Sequence, residues 1–204
     1  MDVVFALEVA VRKRQAVTVP MVLWRVSQCE FLEKPMNPIE PFVIAREFHA
    51  PRKLLWQVQT QAEHLQQWLS PEGFHTIHAE MDFRVGGRYF YGIEGPNQLQ
   101  MWGMQQFLEI TSERKIVHLQ SFSNKEGGLG RHPMAPTWPA YMHVTATYED
   151  SGDGCTAYTL TWQPHESDEA GIAAFDSARA GMQAGFAGTF KKLDAYLVEL
   201  QARG

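Results

Sequence analysis

PEGFHTIHAEMDFRVGGRYFY, residues 71–91, sets two runs of β-branched and aromatic residues on either side of a Gly-Gly pair. Residues 74–81 and 88–93 have the composition of strands, and Gly86-Gly87 falls at the reversal, where positive φ is needed. The stretch therefore predicts an antiparallel hairpin. Tyr89 or Tyr91 is then expected to point into the concave face of the sheet, with the register deciding which.

Upstream, residues 42–48 (FVIAREF) read as extended, and Ala50-Pro51 opens a helical stretch with proline near its first turn. Leu54, Leu55, Val58, His64, Leu65 and Trp68 follow at helical spacings, as two short helices split near Thr60. Downstream, residues 99–110, 115–122, 141–148 and 156–163 are strand candidates, the last two joined by EDSGDG, whose Asp-Gly is a strong turn signal. Residues 124–140 (NKEGGLGRHPMAPTWPA) are too rich in proline and glycine for an element, and a loop of that length is either disordered or functional.

Residues 167–201 lack proline and place Phe175, Met182, Phe186, Leu193, Leu197 and Leu200 on one stripe, as a long amphipathic helix requires. Ser167, Asp168 and Glu169 suit its start. The order of elements predicts an α+β fold of helix-grip type: a curved antiparallel sheet wrapped around a long C-terminal helix, with two short helices after the first strand. Such a sheet leaves a cavity against its helix.

The chain has 204 residues, 45% hydrophobic and 12% aromatic, enough for one substantial core. A net charge of −5 argues against a nucleic-acid partner, and the cluster Arg12-Lys13-Arg14 reads as a solvated tail. Cys29 and Cys155 are the only cysteines, which suggests neither a disulfide framework nor a cysteine zinc site and fits a reducing cytoplasm. The apolar residues of the first segment precede its charges, unlike a secretory signal, and no run nears the ~18 apolar residues of a membrane span. The expectation is a protein that neither enters nor docks on a membrane. Residues 1–40, interrupted by LEKPMNPIEP, read as a poorly ordered extension or a mis-assigned start, with Met36 as the alternative first residue and residues 41–202 as the domain.

AREFHAPRKLLWQVQTQAEHLQQWLSPEGF resembles the R-x-F-x-A-P-x-x-x-V-W … W-x-x-P-E-G-F opening of the START-like SRPBCC superfamily, specifically the homologues of the activator of the 90-kDa heat-shock protein ATPase. DFRVGGRYFY is similar to that family's D-x-R-x-G-G hairpin, FLEITSERKIVH to its E-I-x-P-x-E-R-L-V strand pair, and GMQAGFAGTFKKLDAYL to its closing helix. Ser112 and Phe186 stand where the family often has proline and tryptophan. The resemblance spans roughly residues 42–200 and implies the helix-grip fold. It implies no single activity, because the superfamily includes lipid carriers, polyketide cyclase and dehydratase relatives and the chaperone activator's own domain.

No G-x-S-x-G, P-loop or HExxH motif is present. His75 and His78 are separated by an odd number of strand positions and so point apart; His118 and His143 converge only if their strands' registers agree, and no metal or cofactor is expected. Acid/base candidates are His118, His143, Tyr91 and Glu109. Gly181, Gly185 and Gly188 share a helical stripe, read as close packing of the helix against the sheet ahead of a ligand-sized gap. The expected ligand-binding residues are Trp68, Tyr89, Tyr91, Trp102, His118, Trp138, His143, Met182 and Phe186, with Trp138 as a lid. Three readings follow: a binder of a small apolar or aromatic molecule, a cyclase- or dehydratase-like enzyme, and a chaperone-interacting domain, ranked in that order. A homodimer is left open.

Overall fold

The computed structural model describes residues 39–203. The extension and start at Met36, the basic cluster and Cys29 lie outside the described residues or almost entirely so. Seven strands form one antiparallel sheet: β1 (Phe42–Phe48), β2 (His75–Met81), β3 (Arg88–Glu94), β4 (Gln100–Thr111), β5 (Lys115–Ser123), β6 (Tyr141–Gly152) and β7 (Cys155–His165), in the order β1-β7-β6-β5-β4-β3-β2. Helices α1 (Arg52–Thr60) and α2 (Ala62–Trp68) follow β1, and α3 (Glu169–Ser177) and α4 (Arg179–Arg203) close the chain. The helix-grip α+β expectation holds. Among the described residues no helix is long and apolar enough to cross a membrane.

Alternation along the strands sets the concave face. The register pairs Phe42 with Trp162, Ile44 with Leu160, Val144 with Trp162, Ala146 with Leu160 and Tyr148 with Tyr158, so these side chains share one side. The helices close over that side. Phe48, Leu55, Val58, Leu193 and Phe175 are fully buried, and Phe48, Tyr158 and Phe190 meet edge to face with centroids 5.7–5.9 Å apart.

The hairpin foreseen at Gly86-Gly87 forms. Gly86 has φ +81°, and a Cβ on Gly87 would stand 2.1 Å from the Asp82 carbonyl oxygen. The same turn is held to β4, where the Gly86 amide donates to the Phe107 carbonyl and the Phe107 amide to that of Gly87.

The C-terminal helix differs from the single helix expected. It breaks at Ala178, whose amide bonds the Phe175 carbonyl three residues back, while the Ser177 hydroxyl donates to the Ala174 carbonyl. Asp168 caps α3 by accepting the Gly171 amide at 2.8 Å. The glycine stripe of α4 also differs. Gly181, Gly185 and Gly188 are exposed, and an added Cβ on any of them would meet nothing within 4 Å among the described residues. They do not pack against the sheet, because Met182, Phe186, Phe190 and Leu193 occupy the inward face.

Gly185→Ala and Gly188→Ala are therefore expected to stabilise the protein, each by up to about 1 kcal/mol. Urea unfolding monitored by far-UV circular dichroism measures this. A loss of stability in either variant would mean that the glycine face of α4 is covered.

Candidate functional site: a cavity between sheet and helix

Between the concave face, α2, α4 and the loop 124–140 lies a cavity of about 460 Å³. That volume falls in the range of small-molecule sites. Its floor is built by period-two positions on adjacent strands. Tyr91 and Ile93 come from β3, Met101, Gly103, Gln105 and Phe107 from β4, Ile116, His118 and Gln120 from β5, and Met142, Val144 and Ala146 from β6. None of the described residues lining it is Asp, Glu, Lys or Arg.

Two glycines accept an aromatic ring from the paired strand, and one of them, Gly103, shapes the floor. Gly103 is the cross-strand partner of Tyr91, and a Cβ there would stand 2.4 Å from the Tyr91 ring. Gly92 is the partner of Trp102, and a Cβ there would meet the indole at 2.8 Å. The two pairs sit one register step apart and so use opposite faces of the sheet.

The expected residues divide accordingly. Tyr91, His118, Trp68, Trp138, Met182 and Phe186 all line the cavity. Tyr89 and Tyr91 are two residues apart and share a face, so register never chose between them. Tyr91 reaches the cavity, while Tyr89 is buried beside it with its ring stacked on Tyr91 at 5.1 Å. Trp102 borders the cavity through its place in β4, but its indole lies on the convex side, stacked on Phe90 at 5.3 Å and near His78. His143 is also convex, because the β5–β6 register pairs His118 with Val144 and His143 with Leu119. It stands beside His165, with ring centroids 6.3 Å apart, and does not converge with His118.

Trp138 is partly buried rather than a free lid, with its ring 5.8 Å from His132 and 6.1 Å from the fully buried Phe175. The Pro-rich loop thus contributes His132, Met134, Trp138 and Pro139 to the mouth. The β4 residue Glu109 is exposed and bonded to Lys115 at 2.9 Å, outside the cavity.

His118 is the polar centre of the floor. It is 7% exposed, and neither ring nitrogen has a hydrogen-bond partner among the described residues. Burial, with His143 on the far side of the sheet adding to it, pulls its pKa down to about 3, so the ring is neutral at pH 7. Burial pushes the Tyr91 phenol up to about 12, partly offset by the neighbouring Gln120 side chain. Gln59 of α1 also faces the cavity; its Oε1 accepts the Tyr148 hydroxyl at 3.0 Å, and its Nε2 is without a partner among the described residues. Gln59 and Gln120 were not foreseen. Gln120 was within reach of the alternation that carries His118, whereas nothing in the helix pattern separates Gln59 from a solvated position.

Away from the cavity, Glu47, His49 and Cys155 bring potential ligand atoms within 4.8 Å of one another at the ends of β1 and β7. Glu47 and His49 are exposed, and desolvation with the Glu47 and Asp153 carboxylates raises the Cys155 thiol above its ordinary pKa.

The family model for Activator of Hsp90 ATPase homolog 1-like protein matches residues 49–198. The chain belongs to this family. Among solved structures, a protein of Nitrosomonas europaea is 20% identical, with 82% of this chain and 99% of that one covered at a TM-score of 0.64. One from Arthrobacter aurescens, solved by NMR, is 25% identical over 79% and 87% of the two chains, also at 0.64. The AHSA1 protein of Silicibacter pomeroyi is 18% identical over 81% and 100%, at 0.60. No curated protein matches. Family and fold together support a ligand-binding or Hsp90 ATPase-activator-like domain.

Because His118 is held neutral by burial, its folded-state pKa lies below the unfolded value near 6.5. Its contribution to stability is intact above that pH and is lost as pH falls toward about 3. His118→Phe is expected to flatten the acid limb of the stability curve between these values, by up to about 1.4 kcal/mol per pH unit. Urea midpoints measured from pH 7 to pH 3.5 for both proteins check this, and parallel curves would show that His118 titrates normally.

Proposed function

We propose that the protein binds a small apolar or aromatic molecule in the cavity between the sheet and α4. The observation that carries this reading is a cavity of about 460 Å³ lined mostly by aromatic and aliphatic side chains, with no Asp, Glu, Lys or Arg among its described lining. Burial of apolar ligand surface drives such binding at roughly 25 cal/mol per Å² before ordering costs. Trp68, Trp138, Trp162, Phe122 and Phe186 offer faces and edges suited to a flat ring.

The cyclase- or dehydratase-like reading draws less support. General acid/base catalysis is most effective with a pKa near the working pH, whereas His118 sits near 3 and Tyr91 near 12. At pH 7 each stays in its neutral form, which suits hydrogen bonding better than proton transfer. The activator-like reading rests on the family alone.

Biphenyl at a hundred times its Kd is expected to stabilise the protein by about 2.7 kcal/mol, read as a rise in melting temperature. Ala146→Phe, which fills the floor of the cavity, is expected to keep the fold and lose most of that response. If biphenyl leaves the melting temperature of the natural protein unchanged, the cavity does not bind apolar molecules. An equal response in the variant would place binding elsewhere.

A further inference from the structure

We propose that the cavity selects an uncharged ligand bearing a hydroxyl group, a phenol or alcohol on an apolar frame, with His118 as the residue that reads the hydroxyl. This rests on the cavity-binding reading above and names the chemical class of its ligand.

A neutral imidazole carries one N–H donor and one acceptor nitrogen. His118 lines the cavity floor, and both of its ring nitrogens are buried without a partner among the described residues. A buried polar atom left unpaired is costly. A ligand that pairs with His118 recovers part of that cost on binding, whereas a hydrocarbon recovers none. Gln59 adds a second spare group on the same cavity, since the Tyr148 hydroxyl engages only one end of its amide.

The remaining wall decides which polar ligand fits. A carboxylate or sulfonate would enter without a lysine or arginine among the described lining residues, and a buried anion without a counter-charge is costly. Pairing it with a protonated His118 would require ionising a fully buried ring. An amine fares no better, because no carboxylate lines the cavity among the described residues. A ketone can accept from the imidazole N–H but offers nothing to the other nitrogen. A hydroxyl both donates and accepts, so it can meet either ring nitrogen, whichever tautomer is present.

The test is calorimetric titration at pH 7 of the full chain with three molecules of one frame: biphenyl, 4-phenylphenol and biphenyl-4-carboxylate. In the natural protein 4-phenylphenol is expected to bind about tenfold more tightly than biphenyl, and the carboxylate at least tenfold more weakly than biphenyl. His118→Phe is expected to remove the advantage of the phenol while biphenyl still binds. His118→Asn, which keeps a neutral donor and acceptor, is expected to retain part of the preference and serves as the comparison if the phenylalanine variant fails to fold. Equal affinity for biphenyl and 4-phenylphenol in the natural protein would overturn the proposal and leave the apolar cavity standing. A phenol preference that survives in both variants would also overturn it. If none of the three molecules binds, the cavity reading fails and this inference falls with it.

Discussion

A single helix cannot cover a seven-stranded sheet. At ~4.8 Å per strand the sheet is roughly 29 Å wide before it curves, whereas a helix with its side chains is about 10–12 Å across. Curvature narrows the gap without closing it; α1 covers a further part beside β6 and β7, and α2 lies against β2. What is left over β3 to β6 becomes the cavity. Its existence thus follows from the mismatch between one helix and seven strands, and its character from the residues that the strand alternation turns toward it.

The way α4 is fastened decides where the open space lies. Asp194 accepts from Arg46 of β1 at 2.9 and 3.0 Å, Tyr196 bonds His64 of α2 at 2.7 Å, Lys192 donates to the Ser70 carbonyl at 2.6 Å, and Gln201 donates to that of His49 at 3.0 Å. These anchors all fall in the second half of the helix, where Phe190, Leu193 and Leu197 are buried. At the other end Arg179 reaches the carbonyls of Glu40 and Pro41. Between them, residues 180–189 touch the domain through Met182, Phe186 and Thr189, the side chains that roof the cavity. Apolar contact alone holds that span, which suits a roof over a variable occupant better than a rigid strut.

Most of the architecture was legible because it is written in short-range patterns. Alternation marked the strands, Gly86-Gly87 and Asp153-Gly154 marked reversals, and Pro51 marked the start of α1. The break at Ala178 was not legible, since 175–182 (FDSARAGM) contains no proline and the departure is a local tightening of the hydrogen-bond ladder. The candidate site was half legible. Residue types announced Trp68, Tyr91, His118, Met182 and Phe186. Whether His143 joined them depended on a cross-strand register between β5 and β6, and that register is set by contacts far apart in sequence. The glycines illustrate the same limit. Gly103 and Gly92 accept rings from a paired strand, whereas Gly181, Gly185 and Gly188, which looked more purposeful by spacing, face open space.

His118 is the point where the local rules are broken. Its neighbours on the concave face, Ile116, Phe107, Val144 and Met142, are apolar, and an apolar side chain of similar size in its place would leave no unpaired nitrogen. By packing alone the histidine is the less stable choice. It is not retained for a structural hydrogen bond, because none is made among the described residues, nor for charge, because burial keeps the ring neutral. Departures of this kind concentrate at functional sites. On the reading proposed above, a ligand that supplies partners to the His118 nitrogens is favoured, and the specificity of the cavity follows from a polar position in its own wall.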